Sequence, residues 1–147
     1  MDTKHHLHFR RAIETDVNAM MTIRLAVKEN VLSNPALVTH QMYLDYLDTL
    51  GRGWVCERAG EIIGFSYAAS EDSSIWALFI SPEHEGCGAG QGLLKLATDY
   101  LFSLGNETIR LGTAANTRAD RFYAAQGWIR GEMKNAVEVG YTLHKGI

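Results

Sequence analysis

The chain has 147 residues, a mass of 16.3 kDa, 46% hydrophobic and 21% charged residues, a globular profile that makes residues 1–147 one expected domain. Fourteen Lys and Arg against seventeen Asp and Glu give a net charge of -3, which argues against a nucleic-acid partner, since phosphates are met by basic patches. Cys56 and Cys87 form no CxxC pair, the longest apolar run (75–80) is too short for a bilayer, and Met1 to His6 lack a leader's apolar stretch. A cytoplasmic protein without a metal, a disulfide framework or a membrane association is therefore expected.

The opening residues Leu7 to Ala12 alternate loosely and predict a strand. Thr15 has the character of an N-cap, with Asp16 in the first turn of a helix that carries Val17, Met20, Met21, Arg24 and Leu25. Leu32 to Pro35 breaks that helix, because a residue before proline avoids helical geometry. Thr39 opens a second helix with Tyr43, Leu44, Leu47 and Leu50 on one face and Gly51 as its stop.

From Gly53 the pattern becomes extended. Trp54 to Glu57 and Ile62 to Tyr67 flank Ala59-Gly60 and predict a β-hairpin. Glu71 to Ser74 is a second turn, and the strand Ile75 to Ile80 that follows is apolar on both faces, so it belongs in the middle of a sheet. Leu93, Leu94, Ala97, Tyr100, Leu101 and Leu104 then trace an amphipathic helix ending at Gly105. With the strand Thr108 to Leu111 this makes one β-α-β crossover. Thr117-x-x-Asp120 resembles a capping box for a short helix through Ala125, stopped by Gly127, and Trp128 to Met133 and Val137 to Leu143 close the chain as strands. The fold class is α/β of the α+β type.

Four of the fourteen glycines, Gly86, Gly88, Gly90 and Gly92, fall within seven residues between the buried strand and the amphipathic helix. Such a loop turns its N–H groups inward, and with the positive end of the helix behind it forms a site for phosphate or pyrophosphate. A Walker loop is ruled out, because Gln91 stands where its second glycine belongs and no Lys-Ser/Thr pair follows. A dinucleotide fingerprint fails at the same residue, and its parallel N-terminal setting is absent.

Ile80-Ser81-Pro82-Glu83-His84-Glu85-Gly86-Cys87-Gly88-Ala89-Gly90, followed by Leu93-Leu94, resembles the acetyl-CoA-binding motif of the GNAT N-acetyltransferases, Arg/Gln-x-x-Gly-x-Gly/Ala. Leu111-Gly112-Thr113, Asn116, Arg118-Ala119, Phe122-Tyr123 and Gly127-Trp128 resemble the family's second signature. The order of elements is similar along nearly the whole chain. The resemblance implies a mixed, mostly antiparallel central sheet of about seven strands with about four helices. Glu85 departs from the motif's usual Arg or Gln, so its carboxylate is expected to turn away from a bound anion.

The resemblance implies acetyl transfer from acetyl-CoA, as cosubstrate, to an amine of a small molecule or peptide within a ternary complex. Gly86, Cys87, Gly88, Ala89, Gly90 and Gln91 are then the pyrophosphate loop, and the main chain of Leu78, Phe79 and Ile80 runs along the pantetheine arm. Asn116 takes the position of the family's cofactor-contacting Asn, and Tyr123 that of the proton donor to the thiolate. Many relatives use a strand-four Glu as base, where this chain has Ser74, and Glu71, Asp72 or His84 are the titratable residues nearby. The family's acceptor region corresponds to Arg24, Asn30, Tyr67 and Trp54. Homodimers are common among relatives. The alternative reading is a non-catalytic acyl-CoA-binding or sensor domain on the same fold.

Overall fold

The structure is a computed structural model that describes residues 6–27 and 39–146. The expected helix break at 32–35 and the acceptor candidate Asn30 lie outside these residues. The elements are β1 (Leu7–Arg11), a 3-10 turn (Glu14–Asp16), α1 (Val17–Ala26), α2 (His40–Asp45), β2 (Gly51–Arg58), β3 (Glu61–Ala69) and β4 (Ser74–Ile80). A second 3-10 turn (Pro82–His84) leads to α3 (Ala89–Ser103), β5 (Thr108–Ala114), α4 (Arg118–Ala125), β6 (Ile129–Met133) and β7 (Glu138–His144).

Local chemistry accounts for most of the boundaries. Ala59 (φ 53°) and Gly60 (φ 80°) take the two left-handed positions of the β2–β3 turn, the twist that suits a tight hairpin. The Thr39 side chain accepts from the Met42 N–H, and that of Thr117 from the Asp120 N–H, so both helices begin on the residue that caps them. Two expectations are corrected. Thr15 is not the cap of α1: the chain first makes a 3-10 turn, and the Asp16 carboxylate reaches back to the Ile13 N–H at 2.8 Å. Gly51 does not stop α2, which ends at Asp45; Gly51 instead opens β2, where an added Cβ would stand 1.8 Å from the Ala68 carbonyl oxygen.

The seven strands form one sheet in the order β1-β2-β3-β4-β5-β7-β6, antiparallel at every pairing except β4 with β5. This is the mixed, mostly antiparallel architecture expected, with β4 at its centre. One face carries Val55, Phe65, Tyr67 and Ala77 under α1 and α2, together with Met20 and Tyr43. The other carries Ile63, Ile75, Ile109, Leu111, Val139 and Tyr141 under Leu93, Ala97 and Leu101 of α3 and Tyr123 of α4.

The parallel pairing is short. Ser74 opposite Arg110 is its one register pair, with the Arg110 N–H donating to the Ser73 carbonyl at 3.0 Å. Beyond it β4 and β5 part. Ser73, in the left-handed region at φ 56°, also hydrogen-bonds the Asn106 side-chain oxygen at 2.6 Å, and Asn106 donates to the Leu101 carbonyl at 2.9 Å. The apex of the wedge is thereby stapled to the C-terminal end of α3.

Two buried carboxylates tie the helices to the sheet. Asp16 is gripped by two Arg10 nitrogens at 2.8 and 2.9 Å, and Arg10 also reaches Glu57 at 3.1 Å. Asp120 receives both Arg130 donors at 3.0 Å, the Tyr141 hydroxyl, and the Asn116 N–H at 2.7 Å. The Arg130 guanidinium, against the cost of burial, holds the Asp120 carboxyl well below the usual carboxylate range. A depressed folded pKa contributes stability that is present above the unfolded value, about 3.9, and drains as pH falls below it. Asp120→Asn is expected to cost about 1–3 kcal/mol at neutral pH, since Arg130 is partly in water. Thermal melts from pH 7 to pH 3 should show the variant losing less stability on acidification than the wild type.

Candidate functional site

The parting of β4 from β5 opens a cleft of about 1100 Å³, walled by β4 on one side and by β5 and the start of β7 on the other, with the glycine loop and α4 at its mouth. Ser81 donates its N–H to the Ile63 carbonyl at 2.7 Å, which fixes the alternation along the β3–β4 ladder. Phe79 opposite Phe65 and Ala77 opposite Tyr67 are the hydrogen-bonded pairs, so the main-chain groups of Leu78 and Ile80 point away from β3 into the cleft. The wall thus offers an unpaired strand edge. The register change between Tyr67 and Ala68 leaves Trp76 as an extra residue, and its ring lies on Tyr46 with centroids 4.6 Å apart.

At the mouth, Gly86 (φ 81°) and Gly88 (φ 93°) hold left-handed conformations that side-chain-bearing residues rarely adopt. Gly88 caps α3 with no side chain to receive the first helical amides. The Gly92 N–H donates to the Gly88 carbonyl, which leaves the N–H groups of Ala89, Gly90 and Gln91 as the open donors of the first turn. Three open amides at the positive end of a fifteen-residue helix are chemically suited to a phosphate oxygen.

The cleft gathers Leu78, Phe79, Ile80, Gly86, Gly88, Ala89, Gly90, Gln91 and Tyr123 from the sequence-derived set. Phe79 contributes its ring, because its main chain is spent on β3. Cys87 packs as a partly buried side chain against the core and is not on the cleft wall. Asn116 also stands off the wall: it occupies a left-handed turn (φ 64°) and its N–H is held by Asp120. Gly92, the fourth glycine of the cluster, serves packing, since a Cβ there would stand 2.4 Å from the Phe9 ring.

Tyr123 is 6% exposed, packed among Phe122, Trp128 and Tyr141, and is one of the residues that line the cleft. Burial pushes its phenol above the ordinary tyrosine range, so the hydroxyl stays protonated at neutral pH. Glu85 lines the mouth of the cleft beside Arg118, whose Nε is 3.7 Å from its carboxylate. Ser74 lies at the closed end of the wedge and donates to Asp72 at 2.6 Å, while Glu71 and Asp72 sit exposed in the turn. His84 lines the cleft with its Nδ1 buried and without a partner.

Two acceptor candidates are core residues. Tyr67 is fully buried with its hydroxyl on the Tyr43 carbonyl at 3.1 Å, and Trp54 packs on Tyr100 on the α3 face. Arg24 does reach the cleft, its guanidinium 5.3 Å from the centre of the Phe79 ring. Sequence reading missed Asn135, in the β6–β7 connection, and Glu138, the first residue of β7, which both line the cleft where no motif flags them. It also missed the Asp120–Arg130–Tyr141 network, whose members are spread over 22 residues and meet only through folding.

Similarity to known proteins agrees with this geometry. The structure resembles a GCN5-related N-acetyltransferase from Rhodopseudomonas palustris, with a TM-score of 0.81 at 15% identity over 94% of this chain and 95% of the other. It resembles the ribosomal-protein-S18-alanine N-acetyltransferase of Escherichia coli at a TM-score of 0.77 and 15% identity, over 95% and 94% of the two chains. PaiA N-acetyltransferase from Thermoplasma acidophilum, solved in complex with coenzyme A, gives 0.80 at 14% identity over 95% and 99%. Among curated proteins no sequence matches significantly. Residues 18–128, from α1 to the end of the turn after α4, match the model of the acetyltransferase (GNAT) family, and the chain belongs to that family.

Proposed function

We propose that the chain, acting as one domain, is an N-acetyltransferase that moves an acetyl group from acetyl-CoA to a primary amine of a small molecule or peptide by direct attack in a ternary complex. The observation that carries this reading is the pairing of two unfilled hydrogen-bonding surfaces along one cleft. One is the set of open amides of Ala89, Gly90 and Gln91; the other is the outward main chain of Leu78 and Ile80. The first fits a pyrophosphate and the second fits the amide-bearing arm of coenzyme A, which supplies the activated acetyl thioester.

On this reading the residues divide the work. Gly86 and Gly88 keep the loop free of side chains so that the α3 amides meet the pyrophosphate directly. Arg121, in the middle of α4, adds positive charge at the mouth, where Arg118 stands beside Glu85. An outward β4 amide polarises the thioester carbonyl as negative charge grows on its oxygen. The neutral amine attacks the carbonyl carbon, the carbon–sulfur bond breaks, and Tyr123 gives its proton to the departing sulfur. The attacking nitrogen sheds one proton as the amide forms, and that proton replaces the one Tyr123 gave up, so the products are a neutral amide and the CoA thiol.

A second reading, a non-catalytic acyl-CoA sensor, draws on Ser74, which stands at the closed end of the cleft in place of a strand-four carboxylate. Measurement separates the two. Saturation with acetyl-CoA at a hundred times its Kd is expected to stabilise the fold by about 2.7 kcal/mol, read as a rise in Tm; no rise removes the cofactor assignment. Release of CoA thiol on addition of amines then establishes turnover, whereas binding without release favours the sensor. Tyr123→Phe should lower kcat by about a hundredfold with little change in the Kd for acetyl-CoA. Gly88→Val places a branched side chain at φ 93° and should weaken that Kd by about tenfold, measured by calorimetry.

A further inference from the structure

The cleft has two ends with different chemistry, set by the alternation of β4. Leu78 and Ile80 send their side chains to the α3 face, and Phe79 sends its ring to the α1–α2 face. The open amides of the glycine loop belong to the first side. Arg24, in the last turn of α1, belongs to the second, where it lies over Phe79. A cation placed there is on the opposite face of the sheet from the amides that suit a pyrophosphate.

Arg24 is half-buried and lines the cleft, yet among the described residues it forms no ion pair with a carboxylate. Its neighbours are the Phe79 ring and the region of Tyr43, a buried phenol that it approaches closely enough to oppose the effect of burial on its titration. A partly desolvated guanidinium facing an open space is completed most favourably by a planar carboxylate, which accepts two parallel N–H donors. The opposite wall carries both signs, with the Lys134 Nζ 3.2 Å from an added Cβ on Gly112 and a carboxylate slightly farther off. Glu138 opens β7 beside Ala114, and an added Cβ on Gly112 would lie 3.8 Å from its Oε2. Gly112 and Gly140 pair directly under it, so this part of the wall has no side chains of its own from either strand, although Lys134 lies across it.

We propose that Arg24 anchors the acceptor through a carboxylate, and that the acceptor is a small molecule bearing both an amine and a carboxylate. This rests on the acetyl-transfer reading and narrows it. Phe79, the residue beneath Arg24, lies between Leu78 and Ile80, whose main chains face the reacting region. The carboxylate is therefore held close to the reacting carbonyl, which favours amines separated from their carboxylate by a few bonds over long polyamines.

The test is a matched panel in a thiol-release assay with acetyl-CoA: amino acids, their carboxamides, their phosphonate analogues, and amines lacking an acidic group. The carboxylate is expected to exceed its carboxamide in kcat/KM by at least about tenfold, mostly through KM, as a charge-assisted bidentate contact gives. Arg24→Gln should bring that ratio toward one, and Arg24→Lys should recover part of it. A wild-type ratio near one, a phosphonate preferred over the carboxylate, or a ratio unchanged in Arg24→Gln overturns the proposal. Calorimetric binding of the same carboxylate and carboxamide pair to the CoA-saturated protein reads the preference even where no thiol is released. A carboxylate preference there that Arg24→Gln abolishes supports the anchor although acetyl transfer has failed; equal binding of the two overturns it.

Discussion

The separation of β4 from β5 is the constraint on which the rest of the molecule depends. A parallel pair that continued past Ser74 and Arg110 would satisfy the main chain of β4 on both edges and leave nothing to bind with. Because the strands part, the edge of a central strand is exposed inside the protein. Edges in that position are ordinarily covered, since unpaired N–H and C=O groups attract other chains. Here the walls of a narrow cleft shelter the edge, so it is open to a slender extended ligand and closed to another sheet.

The two half-sheets so created must still be held at a fixed relation, and α3 does this with one continuous apolar face. Leu93, Ala97 and Leu101 pack into a core shared with Ile63 and Ile75 on one side and Ile109 and Val139 on the other. The same helix begins with the open amides, so the element that joins the halves also aims those amides at their gap. Asp16 and Asp120 perform the corresponding task for α1 and α4. Each is a buried carboxylate with an arginine and a backbone amide, and each sets where a cleft residue stands: Arg24 eight residues after the first, Tyr123 three residues after the second. Such pairs add little to net stability, but they restrict the registers that a helix can adopt on a sheet.

Local signals were enough to read most of the fold. The β2–β3 turn, both threonine caps, the amphipathic stripe of α3 and the apolar run of β4 are each decided by neighbouring residues, and each appears where its pattern places it. The glycine loop was equally legible, since φ values near 81° and 93° leave few choices besides glycine. The rest was not, for physical reasons. Gly92 reads like its neighbours, yet its role is set by Phe9, eighty-odd residues earlier in the chain. Asn116 carries a motif position but is turned by its bond to Asp120. Glu138 and Arg24 enter one cleft from opposite ends of the sequence, and no local pattern records that meeting.

Ser73 closes the wedge, and its position has a mechanical consequence. Its carbonyl holds the Arg110 amide and its hydroxyl holds Asn106, so both bonds act at the narrow end of two diverging strands. β4 extends seven residues from that point, roughly 20 Å at about 3.3 Å per residue. Over such a lever a rotation of a few degrees at the apex changes the width of the mouth by more than an ångström. The width of the cleft thus depends in part on a serine that does not line it.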